Sequence, residues 1–448
     1  MNPQFWLPLV CAVALLLGAL ASGRLSVTDD FFLVFIYSQS LIYIDVAPTL
    51  AASNLSYATG ERYATLQWTV LLLFQIPLVL VYLWRRGRHT DATATPMPVD
   101  VPRAALLFGG SLALALVYFA IGLRHDLLFR RAGNVTTGQL ELSFIEFALF
   151  RSFTEVGTFL IAVQLFVIRR CDPSERPRWM TASFALSALA FLVYALINSR
   201  MMSVLFLATL YGMYIMTARE RVRMRLSVVL AGALAVIAGL YSLRVANNVR
   251  QAYGAGDSVF AAANFSPVVV DRGTQSDPWT SRLNGLDLIV LISDNVERTG
   301  PAWGRAWAIP FVISLDPIVR TEFTVQAKRV ELTTAKSFLL LMYAGIAVPD
   351  YYSCMLSDAY GNLGALGFLA AALVLAVVLA WALPRIGGAG TPLSIALALF
   401  ALTRVLAFEQ EFGAVLYGWI KMVPFVLAVM LVFPLRTRLP VSPDAAAP

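Results

Sequence analysis

Eleven apolar runs, each of about 17 to 25 residues and therefore long enough to cross a bilayer as a helix, fall near 5–22, 29–50, 65–84, 104–123, 145–168, 179–198, 201–217, 226–243, 363–384, 393–410 and 414–435. No other feature of the sequence restricts the fold as strongly. Backbone polar groups in hydrocarbon must be satisfied within the chain, so runs of this length span as helices. The expected fold class is an all-α polytopic membrane protein with about 11 (10–14) transmembrane helices. Composition agrees: 59% of the 448 residues are hydrophobic and 14% are charged, against roughly 25% charged in an average soluble domain.

Orientation follows from the short loops, because Lys and Arg near helix ends stay on the cytoplasmic side. Arg85, Arg86, Arg88 and Arg103 fill one loop, Arg169, Arg170, Arg176 and Arg178 a second, and Arg219, Arg221, Arg223 and Arg225 a third. With Arg24, Arg385, Arg436 and Arg438 that side holds sixteen basic residues, against five in the opposite short loops: Arg62, Arg124, Arg130, Arg131 and Arg200. The C-terminus is expected inside and the N-terminus outside. The run 5–22 has no basic residues before it and reads as a helix rather than a cleaved signal. The net charge of +7 is then topological, and nucleic acid is not an expected partner.

This divides the chain into N-terminal transmembrane helices at 1–243, a large extracytoplasmic loop at 244–362, C-terminal transmembrane helices at 363–435 and a cytoplasmic tail at 436–448. The stretch from His89 to Arg103 is a short Pro- and Thr-rich cytoplasmic linker. The loop 244–362 is too long to be a simple connection. It contains two apolar segments, 283–294 and 337–349, too short to span and suited to buried or re-entrant half-helices. A cavity opening outward is the implied architecture.

Ionisable residues within the spans are costly, roughly 2.5 to 3.5 kcal/mol each on insertion scales, and need a partner or a cavity. Asp45, Arg151, Glu155, Arg404 and Lys421 are the clear cases, with Glu409 and Glu411 at the turn between the last two helices. All fall in the outer half of their helices, as one outward-facing polar basin would require. Simpler readings stand beside this one. Arg151 and Glu155, four residues apart, can neutralise each other on one helix face, Asp45 can cap or hydrogen-bond a neighbouring helix, and Arg200 can snorkel from its tight turn. Guanidinium groups gathered at such a basin match diphosphate oxygens. Aromatic residues of the loop, Trp279, Trp303, Trp307, Tyr351, Tyr352 and Tyr360, suit either sugar stacking or an interfacial belt. The loop has no histidine, the three cysteines are widely separated, and the chain carries no metal-ligand cluster, nucleophile elbow or nucleotide motif.

The segments NSRMMSVLFL, SRLNGLDLIVLI, GRAWAIPFVISLDP and SDAYGNLGALGFLAAALVL, spread over about 200–385, resemble the O-antigen and exopolysaccharide repeat-unit polymerases of the Wzy type. Arg200, Arg282, Gly304, Pro310, Tyr360, Asn362, Gly364 and Gly367 match that family's pattern. Asp358 replaces its usual Glu, Leu363 its Phe, and Asp316-Pro317 its Lys-Pro.

The resemblance implies a GT-C-like helical fold and an inverting, metal-independent glycosyltransferase without cofactor, facing the periplasm from the bacterial inner membrane. It would move a growing glycan between undecaprenyl-diphosphate-linked oligosaccharides, with membrane lipid and a chain-length regulator protein as partners. The departing lipid diphosphate would require positive charge, for which Arg200, Arg244, Arg250, Arg282, Arg404 and Lys421 are candidates. The acceptor hydroxyl would require a base, with Glu409 or Glu411 first and Asp358 behind them. Trp303, Tyr352 and Tyr360 are the candidate sugar cradle. An O-antigen ligase ranks second, because that family's loop carries a His. A flippase for lipid-linked sugars ranks third, since it would not need so large an asymmetric outer loop.

Overall fold

The computed structural model describes residues 3–27, 29–51, 57–86, 285–314, 334–345 and 354–384, with isolated positions between 109 and 124, between 177 and 186, at 322, and between 398 and 415. Every regular element among the described residues is a helix. Among the described residues three helices are long and apolar enough to cross a membrane: Phe31–Thr49, Gly60–Arg85 and Leu366–Leu383. They coincide with three of the sequence runs, and the run at 5–22 falls on a fourth apolar helix.

In chain order, α1 is Pro3–Ala21 and α2 is Phe31–Ser40, which passes through a π turn at Leu41–Val46 into α3, Ala47–Ala51. The next long helix is built likewise, α4 (Tyr57–Val70) continuing through a π turn at Leu71–Gln75 into α5, Ile76–Arg86. In both turns the closing amide reaches back five residues, Ala47 N to the Ile42 carbonyl and Ile76 N to that of Leu71. The stretch expected to form the large loop contains α6 (Asp287–Thr299), α7 (Arg305–Ser314), α8 (Ala335–Leu339, continued by a π turn to Ala344) and α9 (Met355–Leu363). The long apolar α10, Leu366–Pro384, follows.

Packing explains the composition of α10. It lies against α5 and the π turn before it, and buries Ala371, Ala372, Ala376 and Ala380 together with Phe368, Leu375 and Leu379. Between apolar helices in lipid there is little hydrophobic drive, so small residues that let backbones approach closely carry the association. Leu72, Leu80, Trp84, Leu373 and Val374 remain on the outside, an apolar exterior suited to lipid.

Polar contacts hold the two ends of the first helix pair. At one end the Tyr82 hydroxyl donates to Asp30 Oδ1 at 2.8 Å, and Asp30 Oδ2 accepts from Ser26 N at 2.8 Å. At the other, Gln67 Nε2 donates to Thr49 Oγ1 at 3.1 Å. Along the long helix about 22 residues, on the order of 33 Å at 1.5 Å per residue, separate Tyr63 from Arg85. The loop helices dock on the Tyr63 end. Gly285 N donates to the Tyr43 carbonyl at 2.9 Å, Arg62 Nη1 meets Asp294 Oδ2 at 2.7 Å, and the Tyr63 hydroxyl bonds Asp287. Within the apolar segments at 283–294 and 337–349 the described residues form part of α6 and of α8 with its π turn, each shorter than a span.

Candidate functional site

The densest polar convergence among the described residues is built on Cys354–Gly367, the stretch holding the Asp358, Tyr360, Asn362, Gly364 and Gly367 pattern. Each side chain from Met355 to Asn362 is buried. Asp358 is fully buried, and its Oδ2 accepts from Trp307 Nε1 at 2.9 Å. Asn362 works in both directions: Nδ2 donates to the Asp358 carbonyl at 2.8 Å, and Oδ1 accepts from Ala306 N at 3.2 Å. The backbones of the two segments also pair, Ala302 N to the Gly361 carbonyl at 2.9 Å and Trp303 N to that of Asn362 at 2.8 Å. The pattern therefore fixes α7 and its entry loop onto α9.

Two glycines of this pattern have steric causes. Gly364 sits at φ +63, where a side chain is strained. A Cβ on Gly367 would lie 2.1 Å from the Ala359 carbonyl oxygen, so only glycine lets α10 start against α9. Cys354 opens α9. Its amide donates to Ser357 Oγ at 3.1 Å, its thiol reaches the Gly285 carbonyl at 3.6 Å, and burial pushes that thiol up to about 11 despite the Ser357 hydrogen bond.

Of the acid candidates, Asp358 and Glu411 belong to one wall. Trp307, bonded to Asp358, packs its ring 5.5 Å from that of Phe412, next to Glu411. Glu411 is buried, and its Oε2 accepts from Ala335 N at 2.7 Å. It holds the start of α8, whose first turn is closed by a reciprocal pair of bonds between Thr334 and Ser337. Burial raises the Glu411 carboxyl, while the Lys336 charge, the Lys336 and Ala335 amides and the Thr334 hydroxyl draw it down; burial dominates. Burial likewise raises Asp287, opposed by the Tyr63 hydroxyl.

The two described sugar-cradle candidates are placed differently. The Tyr360 ring is 4% exposed and stacked on Phe368 at 5.4 Å. Burial pushes its hydroxyl up to about 12, with the Glu297 and Asp294 charges adding. Trp303 is 74% exposed and has φ 51, the left-handed region that a bulky residue occupies only when its surroundings hold it. The hydrogen bond from its amide to Asn362 helps to hold it there. The structure thus brings Asp358, Tyr360, Glu411 and the Trp303 backbone to one cluster. Arg200, Arg244, Arg250, Arg282, Tyr352, Arg404, Glu409 and Lys421 lie outside the described residues.

Three contributors to the cluster escaped the sequence reading. The Tyr343 hydroxyl donates to the Gly300 carbonyl at 2.9 Å, Asn295 Nδ2 donates to the Tyr343 carbonyl, and Thr334 caps α8. Only the last had a local signal, the Thr-x-x-Ser spacing ahead of an apolar run. Tyr343 is raised by burial and drawn down by Arg305. Compared with known proteins, the chain matches no family model, no curated protein and no solved structure.

Proposed function

We propose that the chain is a bacterial inner-membrane polymerase that joins undecaprenyl-diphosphate-linked oligosaccharide repeat units into O-antigen or exopolysaccharide by inverting glycosyl transfer on the periplasmic face. In this reading about eleven helices span, in a GT-C-like arrangement. The observation that carries it is the docking of α6 on the half of the first helix pair that bears Tyr43 and Tyr63, away from Arg85. If basic residues mark the cytoplasmic side, the loop helices cap the outer ends of the spans. There the Asp358–Trp307–Asn362 cluster anchors the segment holding Trp303.

The chemistry assigned to that face has three parts. Arg200, Arg244, Arg250, Arg404 and Lys421 bind the diphosphate, and Arg282 stabilises negative charge developing on the departing lipid diphosphate. Glu409 or Glu411, with Asp358 as the remaining carboxylate, accepts the proton of the attacking hydroxyl. Trp303 and Tyr352 line the sugar path as the anomeric carbon gains oxocarbenium character, and Tyr360, buried against Phe368, acts as a positioning residue. Both described candidate bases are buried and engaged, Glu411 Oε2 by Ala335 N and Asp358 Oδ2 by Trp307 Nε1. Glu409 is accordingly the first choice.

The test is a gel of surface and lipid-linked glycans from cells lacking the gene, complemented with wild type or Arg282→Ala. Single repeat units on the usual acceptor, restored to a ladder by wild type alone, support polymerisation and the role of Arg282. Long lipid-linked chains accumulating unattached would replace this reading with the ligase. A full-length ladder from Arg282→Ala would remove that residue from the chemistry.

A further inference from the structure

Between the two π turns of the first helix pair lies a polar cluster that the polymerase reading does not use. Asp45, in the Leu41–Val46 turn, is completely buried, as are Ser40, Gln67 and Gln75. Asp45 Oδ2 accepts from Gln75 Nε2 at 2.7 Å, and the same amide nitrogen donates to Ser40 Oγ at 3.1 Å. Gln67 Nε2 donates to the Asp45 carbonyl at 3.1 Å, to that of Ile44 at 3.2 Å and to Thr49 Oγ1 at 3.1 Å. Both amides therefore lie against one residue. Their orientation is set by these acceptors, because turning either amide over would bring oxygen against oxygen.

With the donors so committed, three buried oxygens have no donor among the described residues: Asp45 Oδ1, Gln67 Oε1 and Gln75 Oε1. Unsatisfied acceptors around an isolated buried carboxylate are costly. Packed on this turn are α1, α2, α3 and α4, the second π turn through Gln75, Gly285 ahead of α6, and the Phe408 ring on Tyr43. The described titratable side chains on α1 to α4 and on the turn itself, besides Asp45, are Cys11, Tyr37, Tyr43, Glu61, Arg62 and Tyr63. The Tyr37 hydroxyl donates to the Ala12 carbonyl, Tyr63 bonds Asp287, and Arg62 pairs with Asp294. No described cationic side chain balances Asp45. One positive charge would neutralise the single carboxylate, whereas a divalent ion would leave a net charge buried. The oxygens left over, one carboxylate and two amide, are the hard donors that hard cations and protons take. π turns within α-helices recur at functional sites, and here two flank the same cluster.

We propose that Asp45, Gln67 and Gln75 form a buried site for one monovalent cation, a proton or a sodium ion, between the π turns of the first helix pair. The site is independent of the polymerase reading. It lies two residues from Tyr43, whose carbonyl receives Gly285 N, so the same turn that holds the cation also anchors the loop helices.

The experiment is thermal unfolding of the purified full-length protein in lipid nanodiscs, followed by intrinsic fluorescence. Sodium chloride is titrated against choline chloride at constant ionic strength and mildly alkaline pH, and pH is then lowered in choline alone. A cation bound only by the folded state raises the melting temperature with its concentration. Wild type is expected to gain stability with sodium, an effect that vanishes at acidic pH through competition, or with protons alone; these arms separate the two sources. Glu411 and Asp287 also titrate, so the readout is the difference from Asp45→Asn, which should lose the response. A wild type indifferent to both cations, or an Asp45→Asn response equal to wild type, overturns the proposal. If Asp45→Asn does not fold, Gln75→Leu decides. Its half-saturating concentration should rise on the order of 10-fold, and an unchanged value overturns the site.

Discussion

Single residues in this structure are held by contacts that make sharp mutational outcomes. Gly367→Ala should destabilise by about 1–3 kcal/mol, because the Ala359 carbonyl that a Cβ would strike is backbone and cannot swing away. A melting temperature equal to wild type would contradict that packing. Cys354, buried and with its thiol raised to about 11, is expected to resist maleimide at about pH 8 in a Cys11→Ser, Cys171→Ser background. It should react only on denaturation, and rapid labelling of the folded chain would refute its burial. Glu411 supplies a pH signature. Its folded-state carboxyl lies above the ordinary 4.5, so the stability it lends is complete below that value and fades as pH climbs through the raised one. Glu411→Gln, neutral throughout, should therefore gain on wild type between mildly acidic and neutral pH. A constant difference across that range would mean the carboxyl is not raised. Sequence reading singled out Asp358, Tyr360, Asn362, Gly364 and Gly367 because they sit close together in a recognisable pattern. It could not reveal that Glu411 holds the start of α8, since its partner Ala335 is 76 residues away and nothing local connects them.

At the level of elements, α6 is the joint between the loop and the spans, and its contacts are unequal. The Arg62–Asp294 pair is half-exposed, with side chains 51% and 40% accessible. Such a pair contributes roughly 0–1 kcal/mol. Asp287 is more deeply set and takes the Tyr63 hydroxyl; removing a donor from a buried carboxylate costs about 1–3 kcal/mol. Tyr63→Phe should therefore lower the melting temperature, or expose 285–300 to proteolysis, more than Arg62→Ala does. Equal effects would mean that this end of α6 is held otherwise. The existence of α6 and α8 was legible from apolar runs of about 12 residues, too short to cross hydrocarbon. Their starts were displaced by a few residues from the runs, because capping by Thr334 and docking of Gly285 on Tyr43 decide where each helix begins. Asp45 was readable as a residue needing a neighbouring helix, and Gln75 provides the contact. The π turns that bring them together leave no mark in hydropathy.

For the whole molecule, three of the eleven hydropathy runs coincide with helices that are, among the described residues, long and apolar enough to span, since a run of about 20 apolar residues has few alternatives. How the helices pack depends on contacts between segments hundreds of residues apart, such as Gln39 Nε2 to the Leu406 carbonyl at 2.8 Å and Arg62 Nη1 to Asp294 Oδ2 at 2.7 Å, which no local pattern records. Opposite placement of α6 and Arg85 can be checked by cysteine accessibility, with Cys11, Cys171 and Cys354 replaced by Ala. A membrane-impermeant maleimide should label Arg298→Cys in intact spheroplasts and Arg85→Cys only after permeabilisation; the reverse pattern would invert the topology. The most direct measurement of the central claim uses the purified full-length protein reconstituted with an undecaprenyl-diphosphate-linked repeat unit as its only substrate. Appearance of a ladder of lipid-linked oligomers, with release of undecaprenyl diphosphate at each addition, is the expected result. Repeat units that stay monomeric with the folded wild type, while a free sugar acceptor or lipid core is glycosylated instead, would contradict it.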